Sequence, residues 1–236
     1  LAFTSSVYPD AADDEANRKK AEAAEKSKVK ARIYETLFYR YWNAWSDGTR
    51  SHVFVMPAEG GKPVDVTPGD FDAPPLDLGG SPDYAFSPDG KELAFVRNVD
   101  PELKKGLGTN NDVFVVPTTG GEPRRITTNR ANDNQPLYSP DGKYLAYRAM
   151  ARPGYESDKE SLTLYDRTTG AIRSLTDAVD VSVAEMFWIP DGSGLYFSAD
   201  EKGRNALYKV LVAGGKPEKV IDGVTFGSMS PAPGGT

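Results

Sequence analysis

The chain has no cysteine, a single histidine and no long apolar run. Without cysteine there are no disulfides, no thiolate metal sites and no thiol nucleophile, and the compartment stays open. The lone histidine, His52, begins the strand-like run Ser51–Val55, where a structural role is expected. No Gly-x-Ser-x-Gly elbow accompanies it, so no nucleophilic triad is expected within this chain. No apolar stretch approaches the ~18 residues a helix needs to span a bilayer. Lys and Arg number 28 against 34 Asp and Glu, a net charge of −6. The only basic stretch, near the N-terminus, is interleaved with acids, which argues against nucleic acid or an anionic membrane as partner. The acidic groups Asp13-Asp14-Glu15 and Asp70-Phe71-Asp72 lack the spacing of a calcium loop, and no phosphate loop or dinucleotide fingerprint is present. No metal and no cofactor are therefore expected.

What the sequence does have is a degenerate repeat. The turn Ser87-Pro88-Asp89-Gly90 joins two apolar runs, returns as Ser139-Pro140-Asp141-Gly142, and recurs weakened as Ile189-Pro190-Asp191-Gly192. Pro presets a type I turn, Asp bonds nearby backbone and Gly takes positive φ, which makes each a hairpin bend. The acids Asp89, Asp141 and Asp191 are thus read as turn chemistry. A second set of bends carries Gly60-Gly61, Gly120-Gly121, Gly170 and Gly214-Gly215. The flanking runs are rich in β-branched and aromatic residues. The repeat length, roughly 50 residues, is near that of four-stranded propeller blades.

The expected fold is all-β: a partial β-propeller of about four four-stranded blades forming one domain over 1–236. Complete blades are expected over 83–128, 135–176 and 184–221. A blade remnant covers 1–67, beginning in mid-blade at its second strand, and residues 224–231 read as a worn extra inner strand. Either that strand closes onto residues 1–6 in a four-bladed ring, or the chain is an arc of a larger ring, since propellers run to about 8 blades. An arc exposes two blade edges, and self-association through them is expected.

The first blade is interrupted by an insertion over 8–50, expected to be helical over residues 10–46. Its first half has acids leading and bases following with almost no apolar stripe, which predicts a solvated helix. In its second half Ile33, Leu37, Tyr41 and Trp45 recur every four residues, with Phe38, Tyr39 and Trp42 widening the band, which predicts an amphipathic helix with an aromatic face. The simplest role for those rings is to pin the insertion to the propeller. The alternative is that some of them, with Glu35, Arg40 and Asp47, shape a ligand pocket.

The repeat resembles the propellers of the prolyl oligopeptidase family and of TolB. The stretches 2–10, 28–35 and 37–55 narrow the likeness to dipeptidyl peptidase V and acylaminoacyl-peptidase-like enzymes, and it continues to about Gly223. That resemblance implies a propeller capping an α/β-hydrolase domain with a Ser-Asp-His triad, and hence an arc belonging to a larger parent. It implies a serine exopeptidase, in the periplasm or secreted, in which this non-catalytic part gates short peptides to a site elsewhere in the parent chain. No catalytic residue is carried over. Cleavage from an N-terminus calls for a carboxylate beside aromatic faces to hold the substrate ammonium. Glu35 and Asp47, beside Tyr39, Arg40, Trp42 and Trp45, are the expected substrate-binding residues. The competing readings are a free-standing TolB-like propeller that binds a protein or peptide, and a sugar-active propeller, which would need paired acids that the inner runs 84–86 and 137–138 lack.

Overall fold

The computed structural model describes residues 1–35, 39–76, 78, 83–100, 108–226 and 229–230. The first sheet holds β1 (Ala2–Val7) and, after an interruption containing helix α1 (Asp14–Lys26) and the short strands β2 (Arg40–Tyr41) and β3 (Ala44–Trp45), the strands β4 (Arg50–Val55) and β5 (Val64–Asp65). The second holds β6 (Tyr84–Phe86), β7 (Glu92–Asn98), β8 (Asn111–Pro117) and β9 (Arg124–Arg125). The third holds β10 (Asp133–Tyr138), β11 (Tyr144–Ala149), β12 (Ser161–Asp166) and β13 (Ile172–Ser174). The fourth holds β14 (Met186–Trp188), β15 (Gly194–Glu201), β16 (Arg204–Leu211) and β17 (Glu218–Val224). In every sheet neighbouring strands are antiparallel and follow chain order from inside to outside.

The turns do what their residues dictate. Ser87 and Ser139 each donate a hydroxyl to the aspartate two positions on at 2.7 Å, and that aspartate accepts the backbone amide of Lys91 or Lys143. Gly90 and Gly142 sit at φ 69° and 70°, where a Cβ would be strained. In the third copy Ile189 replaces serine, yet Asp191 still accepts the Ser193 amide at 2.8 Å.

The four sheets stack face to face, and the core lies in the joints between them. Strand β7 shows how: Leu93 and Phe95 pack with Val53, Val66 and Phe114 toward the first sheet. Ala94 and Val96 pack with Tyr138, Leu145 and Tyr147 toward the third. Successive side chains point to opposite faces, so a strand buried on both sides reads as a continuous apolar run. Across the last joint Ala146, Leu162 and Leu164 meet Leu195, Phe197, Ala199 and Tyr208. Polar ties reinforce the stack: the Trp188 indole donates to the Leu137 carbonyl at 3.2 Å, and the Tyr138 hydroxyl to Glu92 at 3.1 Å.

Two expectations change. The inner strand over 224–231 is not found: Val224 ends β17, paired opposite Asn205, and Thr225, Phe226, Met229 and Ser230 are not in a strand. The other residues of that stretch lie outside those described. Among the described residues β1 pairs only with β4, so its far edge is open and no ring closes through it. The second half of the insertion is a two-stranded hairpin and not a helix: Arg40 pairs opposite Trp45 and Tyr41 opposite Ala44, with Trp42 in the turn at φ 49°. Tyr and Trp favour strands, and the four-residue spacing that suggested a helix also fits a hairpin once the chain bends at Trp42-Asn43. Leu37 and Phe38 of the expected stripe lie outside the described residues.

Candidate peptide-binding face

Because every sheet is a simple meander, its connections divide between two faces. The turns from first to second and from third to fourth strand leave on one face. On the other lie the connections from second to third strand and the links between sheets. The 8–49 insertion, joining β1 to β4, is of that second kind. The loop from β11 to β12 joins it there, and the Gly154 amide donates to the Thr109 hydroxyl of the preceding sheet's loop at 3.0 Å.

The insertion begins with α1, capped by the Asp13 side chain, which accepts the Ala16 amide at 2.8 Å. Asp14 and Glu15 lie in its first turn and Lys26 in its last, in line with the helix dipole. Arg18 bridges Glu15 and Glu22, and no residue of the helix is buried. This is the solvated helix that its composition calls for. It leaves helical geometry at Ser27 and runs to a ring cluster: Tyr34, Tyr39 and Trp45, with centroids 5.7 to 6.1 Å apart. The Tyr34 hydroxyl donates to the Ser46 carbonyl at 2.9 Å, and the Ser46 amide to the Tyr39 carbonyl at 3.0 Å. Among the described residues neither helix nor hairpin packs extensively on a sheet. The rings of Tyr34, Tyr39 and Trp45 hold the hairpin to itself.

The structure thus brings Tyr39, Arg40 and Trp45 together. Tyr39 remains 44% and Trp45 47% exposed, and the guanidiniums of Arg32 and Arg40 lie 5.5 and 5.8 Å from the Trp45 ring centre. Trp42, at the tip, is 83% exposed, and Glu35 is exposed. Asp47 is differently employed: its carboxylate accepts the Thr49 amide at 3.0 Å and hydroxyl at 2.7 Å, closing the turn after β3. Partial burial works against its charge, but those two bonds prevail and hold the carboxyl below its ordinary range.

His52 is buried, with Nδ1 2.7 Å from Asp65 and Nε2 2.9 Å from the Gly69 carbonyl. Both neighbours present acceptors, so the protonated imidazolium, with a donor on each nitrogen, is the form that satisfies both contacts. Burial opposes that charge, but Asp65, the Gly69 carbonyl and Asp72 raise its pKa overall. A ring so held cannot take a proton from a nucleophile.

Sequence reasoning missed a buried polar network on the insertion face. Asp112 accepts the Thr127 hydroxyl at 2.8 Å and pairs with Arg125. Asn111 donates to Asn132 at 2.9 Å, and Asn132 and Asn134 reach Glu160 at 3.4 and 3.3 Å. Arg148 donates to Asn134 at 2.9 Å and to the Val183 and Ala184 carbonyls. A bulge in β10 orients these groups: Gln135 sits at φ 51° and its amide donates to Asp83 at 2.8 Å. The one signal was a run of four polar residues, Asn132–Gln135, leading into an otherwise apolar inner strand. Among the described residues no group of three histidines or carboxylates could hold a metal ion.

No protein-family model matches the chain. It is 31% identical over 201 residues to dipeptidyl-peptidase 5 of Porphyromonas gingivalis, a match covering 83% of this chain and 29% of that protein. It is 32% identical over 203 residues to the dipeptidyl-peptidase 5 of Porphyromonas endodontalis, with 83% and 29% covered. The chain therefore spans less than a third of the length of these relatives. Among solved structures, Pyrococcus horikoshii acylaminoacyl peptidase superposes with a TM-score of 0.59 at 15% identity, covering 84% of this chain and 29% of that one. TolB from Acinetobacter baumannii superposes at 0.52 and 20% identity, covering 74% and 39%. The stacked four-stranded meanders and their turns, together with these relatives, place the chain in the prolyl oligopeptidase family, as a segment of its β-propeller.

Proposed function

We propose that this segment is the non-catalytic, substrate-gating part of a serine exopeptidase of the dipeptidyl or acylaminoacyl type. The observation that carries the reading is the match over four-fifths of the chain to relatives named dipeptidyl-peptidase 5. The chemistry of bond cleavage is assigned to an α/β-hydrolase domain of the same parent chain. In keeping with this, the only histidine has both ring nitrogens committed. The propeller's part is to admit short or unfolded peptides and to hold their N-termini.

In this reading the insertion forms the rim of the gate. Glu35 and Trp42 are exposed and have the chemistry to meet a substrate ammonium, by charge-assisted hydrogen bonding and by cation–π attraction. Tyr39, Arg40 and Trp45 form the platform that holds the tip in place, and Asp47 fixes the turn behind it. The test is steady-state kinetics of the full-length protein on dipeptidyl amides with a free N-terminus. Glu35→Gln is expected to raise KM about tenfold with kcat unchanged, equivalent to about 1.4 kcal/mol. Trp42→Ala should act in the same direction. A KM unaltered in both variants would remove the rim from substrate binding.

A further inference from the structure

We propose that Asp133 is held as a neutral carboxylic acid at the joint between the second and third sheets, and that its ionisation makes this joint a latch that loosens in mildly alkaline solution. Asp133 is the first residue of β10 and is 0% exposed. One carboxyl oxygen accepts the Asn129 side-chain amide at 2.6 Å, while Oδ2 has no partner among the described residues. Buried polar atoms are nearly always bonded, so an orphan oxygen calls for a chemical explanation.

The surrounding charges supply one. From β8, Asp112 faces the site with its charge paired to Arg125 of β9. From the residue just before β12, Glu160 faces it, with Arg148 of β11 at 3.9 Å. The link between the two sheets contributes Thr127 and Asn129, and the Thr127 hydroxyl already donates to Asp112. Strand β11 adds the Tyr147 phenol, whose pKa is raised by burial and by the Asp133 and Asp112 carboxylates. Arg97 of β7, opposite Asp112, adds a further guanidinium on that carboxylate's side. Among the described residues Arg125 pairs with Asp112 and Arg148 approaches Glu160, whereas Asp133 forms no ion pair. An unpaired charge in such a place is strongly disfavoured, and the group takes up a proton instead. Burial, with Asp112 and Glu160 adding to it, outweighs the Asn129 hydrogen bond and the nearby Thr127 hydroxyl and pushes Asp133 up to about 8.

Ionisation would set two like charges, Asp112 and Asp133, against each other across the joint. The groups that would feel it lie on the insertion face: the Gln135 amide on Asp83, and the Gly154–Thr109 bond that ties the loops of the same two sheets. The latch therefore couples pH to the spacing of these loops.

The test is equilibrium unfolding of the full-length protein and its Asp133→Asn variant from pH 4 to pH 9.5, with carboxyl carbon NMR of the native protein. A carboxyl whose folded pKa is raised stabilises fully below its unfolded pKa and loses that contribution as pH rises to the folded value. The folding constant of the native protein relative to the variant should fall about tenfold per pH unit from about 4 to about 8, then level. Amide-exchange protection at Gln135 and Gly154 should drop between pH 7 and 9 in the native protein and hold in the variant. An Asp133 carboxyl that titrates near the ordinary 4, as a water-bridged carboxylate would, overturns the proposal. So does alkaline stability that depends on added potassium or calcium, which would mark a buried cation in place of the proton. Should the variant not fold, the NMR titration of the native protein decides alone.

Discussion

At the scale of single residues, buried polar groups rather than exposed ones define this protein. The two acceptors around His52 favour its charged form, and that has a signed consequence. Its raised pKa means that its stabilisation is complete below about 6.5 and is lost as pH rises through the folded value. Thermal unfolding should therefore separate native protein from His52→Gln more widely at pH 6 than at pH 9; equal gaps would mean a neutral ring. A second device recurs in three sheets. Thr67, Thr127 and Thr176 are buried, and each hydroxyl accepts a third-strand amide, from Val53, Val113 and Leu162, at 2.8 to 3.0 Å. Thr176→Val keeps the shape but orphans the Leu162 amide, at an expected cost of about 1 to 3 kcal/mol by denaturant titration. Thr168→Val, on the exposed turn, should stay within about 0.5 kcal/mol. The turn aspartates were legible from sequence because proline and glycine frame them. The threonines and Asp133 were not, since a threonine after a short strand looks like any loop residue and a bulge displaces Asp133 from the repeat's register.

At the scale of elements, α1 and the hairpin show where periodicity decides and where it fails. The helix was legible from its helix-forming residues and charge gradient, and among the described residues it touches the rest of the molecule through few contacts, such as the Asn17 bond to the Tyr8 amide at 2.8 Å. Asp13→Ala should cost the helix about 1 kcal/mol, visible in far-ultraviolet circular dichroism, while the global unfolding midpoint stays put because the helix buries no residue. The ring-bearing half was misread because one period served two structures. Tyr34, Tyr39 and Trp45 meet across a bend in a way that spacing along a straight helix cannot describe. Each ring pair contributes about 0.5 to 1.5 kcal/mol. Trp45→Ala should thus open the hairpin alone, raising the rate of limited proteolysis within 27–47 without moving the global midpoint; a fall in that midpoint would mean that the hairpin is part of the core.

At the scale of the whole molecule, the stack of sheets was the most legible feature, because strands buried on both faces leave unbroken apolar runs between regularly spaced turns. Phe197, fully buried between the third and fourth sheets, illustrates the stake: Phe197→Ala should cost about 3 to 5 kcal/mol and destabilise both sheets together. The open edge of β1 is a template for another strand. We expect this segment to self-associate through it, seen as a sedimentation coefficient that rises with concentration; a constant monomer value would show the edge to be protected. The division of connections between two faces reaches further. On one face the bends are locked by prolines, aspartates and glycines at positive φ, which fix their length as well as their shape. On the opposite face the β15–β16 bend is locked in the same way by Lys202 and Gly203 at positive φ, but the connection after β1 is not, and there a segment of some forty residues was accommodated without disturbing the β1–β4 register. Related sequences should therefore differ in length almost wholly in the connections after β1, β7 and β11, so that new specificities accumulate on one side of the disc while the other stays nearly invariant in size.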